Sequence, residues 1–204
     1  MKSVLVTGGT IRIGKAIADG LRVRGWRVIT SSHRPEAGAD VVADLSDPLG
    51  AARLYAVAAE KAGGTLDAIV NNAALFTGDE DVLRAVNLEA PKKLITMLAG
   101  REEGVGAVVN IVDLKPYETV YGETKRELAD FTRRAACLFA ATLRVNAVAP
   151  GPVLAPTDVH EKAGETLLAR RPTPTDVADA VAFLLEAAST TGCVVPVDAG
   201  QHLL

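Results

Sequence analysis

Tyr121 and Lys125 stand four residues apart in the run Tyr121-Gly122-Glu123-Thr124-Lys125. On a helix that spacing places both side chains on one face, one turn apart. A tyrosine hydroxyl ionises near pH ~10 in water, so it trades protons near neutrality only when its phenolate is stabilised. An ammonium one turn away supplies the opposite charge and draws the pKa toward working pH. The pair is suited to completing a proton transfer to a reacting oxygen or nitrogen.

A second grouping lies near the start of the chain. Thr7-Gly8-Gly9-Thr10-Ile11-Arg12-Ile13-Gly14-Lys15 follows a short apolar run and leads into a helical pattern. Such a glycine-rich turn lets backbone N–H groups and a helix N-terminus face a pyrophosphate, where the helix dipole favours negative charge. About 20 residues further on, where an NAD-binding fold offers an acid to the ribose hydroxyls, the chain has Ser31-Ser32-His33-Arg34. A guanidinium there suits a 2′-phosphate and no carboxylate stands beside it, which favours NADP(H) over NAD(H).

These groups need elements to hold them. Short apolar runs at 3–6, 26–30, 40–43, 67–70, 107–112, 143–149 and 193–197 read as strands. Ala- and Leu-rich stretches of helical period at 13–24, 48–62, 81–99, 123–140 and 175–188 lie between most of them. Alternation of this kind predicts βαβ units, a parallel sheet and strands buried on both faces. The expectation is an α/β chain: a single doubly wound Rossmann-type domain over 1–204, with a mostly parallel sheet of about seven strands flanked by helices. Helix starts are marked at Ser46-Asp47-Pro48 and at Thr173-Pro174-Thr175-Asp176. Residues 151–172 are the least periodic and read as a loop with at most one short helix.

Composition narrows the function classes. The 204 residues carry 22 Lys plus Arg and 25 Asp plus Glu, a net charge of −3. With 4% aromatic residues and no basic tract, the chain lacks the footprint of a nucleic-acid binder. No apolar stretch approaches the ~18 residues of a membrane span, and the start lacks a secretory cleavage pattern. Two cysteines, Cys137 and Cys193, form no disulfide framework, and with three dispersed histidines they give no zinc spacing. Both cysteines read as buried small hydrophobes, and the expected compartment is the cytoplasm.

Taken in order, the motifs resemble those of short-chain dehydrogenases/reductases along nearly the whole chain. They are the Thr7-Gly8 turn with Gly14, Asp44-Leu45, Asn71-Asn72-Ala73-Ala74, Asn87, the Tyr121 to Lys125 run, Pro150-Gly151 and Val197-Asp198-Ala199-Gly200. Four features are similar to one branch, the pteridine reductases and dihydromonapterin reductases. These are Arg12 within the turn, His33-Arg34, Phe76 after the Asn-Asn-Ala motif, and Asp113 where most of the family has serine. The resemblance implies hydride transfer from NADPH to a pterin, with Tyr121, Lys125, Asp113 and Asn87 as the catalytic set. Lys125 would also hold the nicotinamide ribose, and Asn87 a water linking that lysine to solvent. Gly8, Arg12, Ile13, His33, Arg34, Asp44, Asn72, Ala73, Tyr121, Lys125, Pro150 and Gly151 would contact the cofactor, Asp44 beside the adenine. Arg12, Phe76, Asp113 and Tyr121 would contact the substrate. Asp113 can accept side by side from the N–H and amino group on a pterin edge, and Phe76 can stack on the ring. The family pattern also implies a homotetramer or homodimer through the Tyr121 helix, with a small-molecule substrate, no nucleic acid, no membrane and no metal.

The chain departs from that pattern by being short. The intervals 34–40, 72–87, 113–121 and 151–176 are all compressed. A crossover helix after the second strand is expected to shrink to a turn. The short 113–121 link leaves two outcomes open, Asp113 beside Tyr121 or Asp113 drawn out of range. Two other functions stay open: a reductase of another ketone, aldehyde or cyclic imine, or a non-catalytic NADP(H)-binding regulator. Joint presence of Tyr121, Lys125 and Asn87 weighs against the regulator. His160, in the loop over the expected pocket, reads as solvent-facing.

Overall fold

A computed structural model describes residues 1–101, 104–115, 117–154 and 164–204. Among them, strands β1 (Ser3–Thr7), β2 (Arg27–Ser32), β3 (Val41–Val42), β4 (Ala68–Asn71), β5 (Gly106–Ile111), β6 (Leu143–Pro150) and β7 (Val194–Val197) form one sheet. All neighbours are parallel, in the order β3-β2-β1-β4-β5-β6-β7. The strand C-termini therefore share one edge of the sheet. The order reverses at β1, where a crevice opens between the ends of β1 and β4.

Period-two alternation splits each strand between two cores. Val4, Val6, Val70 and Val109 face helices α1 (Arg12–Val23) and α6 (Pro174–Glu186). Leu5, Ile29, Ile69 and Val108 face α2 (Gly50–Ala62), α4 (Ala90–Ala99) and α5 (Val120–Leu138). Val4, Leu5 and Val6 are each 0% exposed, so neither face of the sheet's centre sees water, as the unbroken apolar runs require.

Differences from the sequence reading have local causes. The first helix after β3 begins at Gly50 rather than Pro48, because Asp47 turns its carboxylate onto the Leu49 N–H at 2.8 Å and holds a turn there. The 81–99 stretch becomes α3 (Glu80–Arg84), a π-helical segment Ala85–Glu89 and α4. At the start of α6 the Thr173 and Asp176 side chains cap each other's backbone N–H groups in a complete capping box. Cys137 is exposed, not buried. The inward face of α5 uses Leu128, Ala129, Thr132, Ala135 and Ala136, and the next residue is carried about 100° round the helix. Cys193 is partly buried.

The link from β2 to β3 has shrunk as expected, to a single 3-10 turn at Pro35–Ala37. Asp40 closes it: its carboxylate accepts from the Thr30 N–H and hydroxyl, both at 2.8 Å, and its own N–H donates back to the Thr30 hydroxyl at 3.3 Å. Under the sheet, Asn71 and Asn110 sit opposite each other in the β4–β5 register, and the Asn71 amide donates to Asn110 Oδ1 at 2.8 Å. Asn110 passes the chain on to the Thr132 hydroxyl at 2.9 Å, tying α5 to the sheet.

Candidate active site

The crevice at the switch point is a cavity of about 750 Å³ that runs from the glycine turn after β1 to Tyr121 and Lys125 on α5. At its floor, two glycines let the turn close up. Gly8 has φ +62°, and a Cβ on Gly14 would fall 2.1 Å from the Gly8 carbonyl oxygen. The Asn72 amide braces this turn from β4, donating to the carbonyls of Thr7 at 2.9 Å and Gly8 at 3.2 Å. Thr7, named in the sequence as part of the turn without a role of its own, accepts from the N–H groups of Asn72 and Ala73 at 3.0 Å each. Asn72 thus combines bracing with its place in the wall, while Asn71 serves the sheet alone.

Arg12 sits at φ +51°, a left-handed conformation uncommon outside glycine. Its exposed guanidinium has no hydrogen-bond or ion-pair partner among the described residues, and it lines the cavity with Ile13. His33 and Arg34 line the same end, at the tip of β2, with Arg34 Nε 3.4 Å from His33 Nε2. Asp44 lines it too, and Ser46 accounts for its state: hydroxyl and N–H donate to the carboxylate at 2.7 and 2.8 Å, holding it below the usual carboxylate range. Three basic side chains therefore meet one end of a cleft whose backbone is shaped for close approach. That is the donor set a phosphorylated dinucleotide requires.

The other end holds the chemistry. Despite the shortened link, Asp113 stays beside Tyr121: the tyrosine hydroxyl donates to Asp113 Oδ2 at 3.2 Å, and the Lys115 N–H to Oδ1 at 2.9 Å. Burial pushes the Asp113 carboxyl up, against these two hydrogen bonds and the charges of Lys125 and Lys115. Lys125 is 3% exposed, its ammonium donating to the Ile111 carbonyl at 2.9 Å and standing 5.7 Å from the centre of the Tyr121 ring. Burial pushes it down to about 8, the negative charge of Asp113 opposing. Pro150 and Gly151 complete the wall at the end of β6.

Phe76 is 48% exposed at the mouth, so it is not a core aromatic. Its ring lies 4.7 Å from Tyr121 and 5.6 Å from Tyr117, and Tyr117 lies 5.5 Å from Tyr121. Tyr117 was missed in the sequence: it lies four residues before Tyr121, ahead of the α5 N-cap Thr119, where helix spacing gives no signal. Asn87 is the residue that the structure does not bring to the cavity. It lies in the π-helical segment, 1% exposed, with its amide bonded to the Leu75 backbone at 2.8 Å in both directions. From there it fixes the stretch that carries Phe76, and its amide also donates to the hydroxyl of Thr124, the neighbour of Lys125 on α5, at 3.4 Å. His160 and part of the loop after β6 lie outside the described residues.

Fold and site together define a Rossmann-type oxidoreductase built around a tyrosine–lysine pair. The chain belongs to the short-chain dehydrogenase/reductase family: residues 11–202 match the family described as enoyl-(acyl carrier protein) reductase. Protein FixR of Bradyrhizobium diazoefficiens is 32% identical, over 99% of this chain and 87% of FixR. Galactitol 2-dehydrogenase of Rhizobium johnstonii is 32% identical, over 96% of this chain and 93% of that enzyme. Among solved structures, FolM alternative dihydrofolate reductase 1 from Brucella canis, complexed with NADP, superposes with a TM-score of 0.87 at 32% identity, covering 100% of this chain and 95% of that one. The alignment with FixR extends over 242 positions, more than this chain's 204 residues, so this chain is the shorter of the two across it.

Proposed function

We propose that this protein is an NADPH-dependent reductase of dihydropterins. The observation that carries the reading is the Asp113 carboxyl held 3.2 Å from the Tyr121 hydroxyl in the cavity that Arg12 also lines. The similar Brucella protein is named a dihydrofolate reductase and holds NADP, which supports both halves of the reading. When bound, NADPH supplies the hydride.

The chain's own residues do the rest. Arg12, His33 and Arg34 hold phosphate, and the tight Gly8 to Gly14 turn admits the pyrophosphate. Lys125 binds ribose and keeps a positive charge beside the Tyr121 ring. Phe76 covers the flat ring of the substrate, and Asp113 accepts from the paired N–H donors on its edge, which fixes which ring atom faces the nicotinamide. Tyr121, directly or through a water, completes proton delivery to the substrate nitrogen next to the carbon that takes the hydride. The same reading makes the protein a cytoplasmic homodimer or homotetramer paired through α5, which light scattering on the purified protein tests.

The deciding experiment follows loss of NADPH absorbance with dihydrobiopterin, dihydromonapterin and dihydrofolate against a panel of simple ketones, with NADH in parallel. Pterin-dependent turnover that prefers NADPH is expected. Activity on ketones alone reduces the function to carbonyl reduction, and silence on both with NADPH still bound makes the protein a nucleotide-binding regulator.

A further inference from the structure

Tyr121 lies eight positions after Asp113, and Lys115 stands early in that short link. Its ammonium lies 4.8 Å from the centre of the Tyr117 ring, and that ring is in edge contact with both Phe76 and Tyr121. On its other side the ammonium is 3.9 Å from where a Cβ on Gly164 would stand, and the Gly164 carbonyl accepts from Arg171 Nη2 at 3.4 Å. Two cations thus flank one backbone unit at the rim of the aromatic mouth. Among the described residues neither has a carboxylate within ion-pair distance, Asp113 acting on Lys115 only from farther off, whereas the adjacent Arg170 is matched to Asp176 at 3.1 Å. Glu165, next along the chain, forms no ion pair with either.

An ammonium laid on an aromatic face and short of a counter-ion is a place where an anion restores local charge balance. Resting on the pterin reading, we propose that Lys115, with Arg171, is specificity-determining and binds a carboxylate-bearing substituent of the substrate. The bicyclic ring lies among Phe76, Tyr121 and Asp113, the substituent leaves across the Tyr117 face, and its carboxylate ends on Lys115 and Arg171. Preferred substrates then carry an anionic tail, and a pterin with a short neutral side chain gains nothing from this rim.

The test compares kcat/KM for dihydrofolate, which has an anionic tail, with that for dihydrobiopterin, which has a neutral one. Taking their ratio cancels any general effect, including loss of folded protein or a change passed through Asp113. Lys115→Gln is expected to lower the ratio about tenfold, mainly through KM for dihydrofolate, since one charge-assisted contact is worth roughly that factor. Arg171→Gln lowers it less, Lys115→Arg restores it to within about twofold, and added salt erodes it in the wild type and in Lys115→Arg more than in Lys115→Gln. A ratio unmoved in Lys115→Gln, with both substrates slowed equally, overturns the inference and leaves the pterin reading standing. If the wild type turns over neither pterin, the reading itself fails and takes the inference with it.

Discussion

Arg12 is held where a glycine is cheaper, and replacing it by glycine should move two observables in opposite directions. At φ +51° a residue with a Cβ bears a left-handed penalty of roughly 1 kcal/mol. Among the described residues the Arg12 guanidinium has no partner to repay it. Arg12→Gly should therefore stabilise the cofactor-free protein by about 1 kcal/mol, a rise in Tm of about 2–4 °C for a chain of this size. The same change deletes a cation that the phosphates need. Loss of one charge-assisted hydrogen bond at about 1.5–3 kcal/mol weakens NADPH binding by roughly 10- to 150-fold, so the stabilisation gained on adding NADPH shrinks. Melting by circular dichroism without cofactor, and fluorescence titration with NADPH, read the two effects separately. An unchanged or lower Tm refutes the strain argument, and an unchanged NADPH affinity refutes the assignment of Arg12 to the cofactor.

Tyr121→Phe should abolish at least ~99% of turnover while NADPH binding persists, and Asp113→Ala should raise KM for dihydropterins far more than for ketones; steady-state kinetics with both substrate classes checks both. Because burial raises the Asp113 pKa, and the carboxylate form accepts from the substrate, kcat/KM should fall on acidification at a pH above the ordinary aspartate value, and Asp113→Asn should remove that limb. Lys125 falls from 10.5 unfolded to about 8 folded, so between those values the unfolded chain binds more protons and stability rises with pH. Relative to Lys125→Met, the cofactor-free wild type should gain on the order of 2–4 kcal/mol across that window, measured by urea unfolding at each pH. Asp40→Ala strands the Thr30 N–H and hydroxyl and should cost about 1–3 kcal/mol, read as a lower urea midpoint.

Most of the sheet was legible because its strands are buried on both faces and announce themselves as apolar runs, and the crossovers between them carry helical period. Gly8, Gly14 and the Tyr121–Lys125 pair were legible for a related reason, since turn geometry and helix spacing are local properties. Relations across the sequence were less so. Whether Asp113 reaches Tyr121 depends on the path of the 113–121 link, and apolar periodicity says nothing of that path. Asn87 reads as a site residue by motif, and its amide reaches the Leu75 backbone and the Thr124 hydroxyl, partners no pattern of residue types reveals. Cys137 was misread because a small apolar residue fits either side of a helix, and only the neighbouring Ala135 and Ala136 decide which side is inward.

The Asn71–Asn110 pair bears on how the chain avoids misassembly. Strands that are apolar on both faces, such as β4 and β5, slide past one another with little loss of burial, so hydrophobicity alone sets their alignment poorly. Two buried amides that meet at only one alignment make a shifted pairing strand further polar groups beyond the Asn71 Oδ1 that the native pairing leaves without a partner. Since Asn110 also fastens α5 through Thr132, one choice made between two strands during folding sets the height at which Tyr121 and Lys125 stand over the crevice.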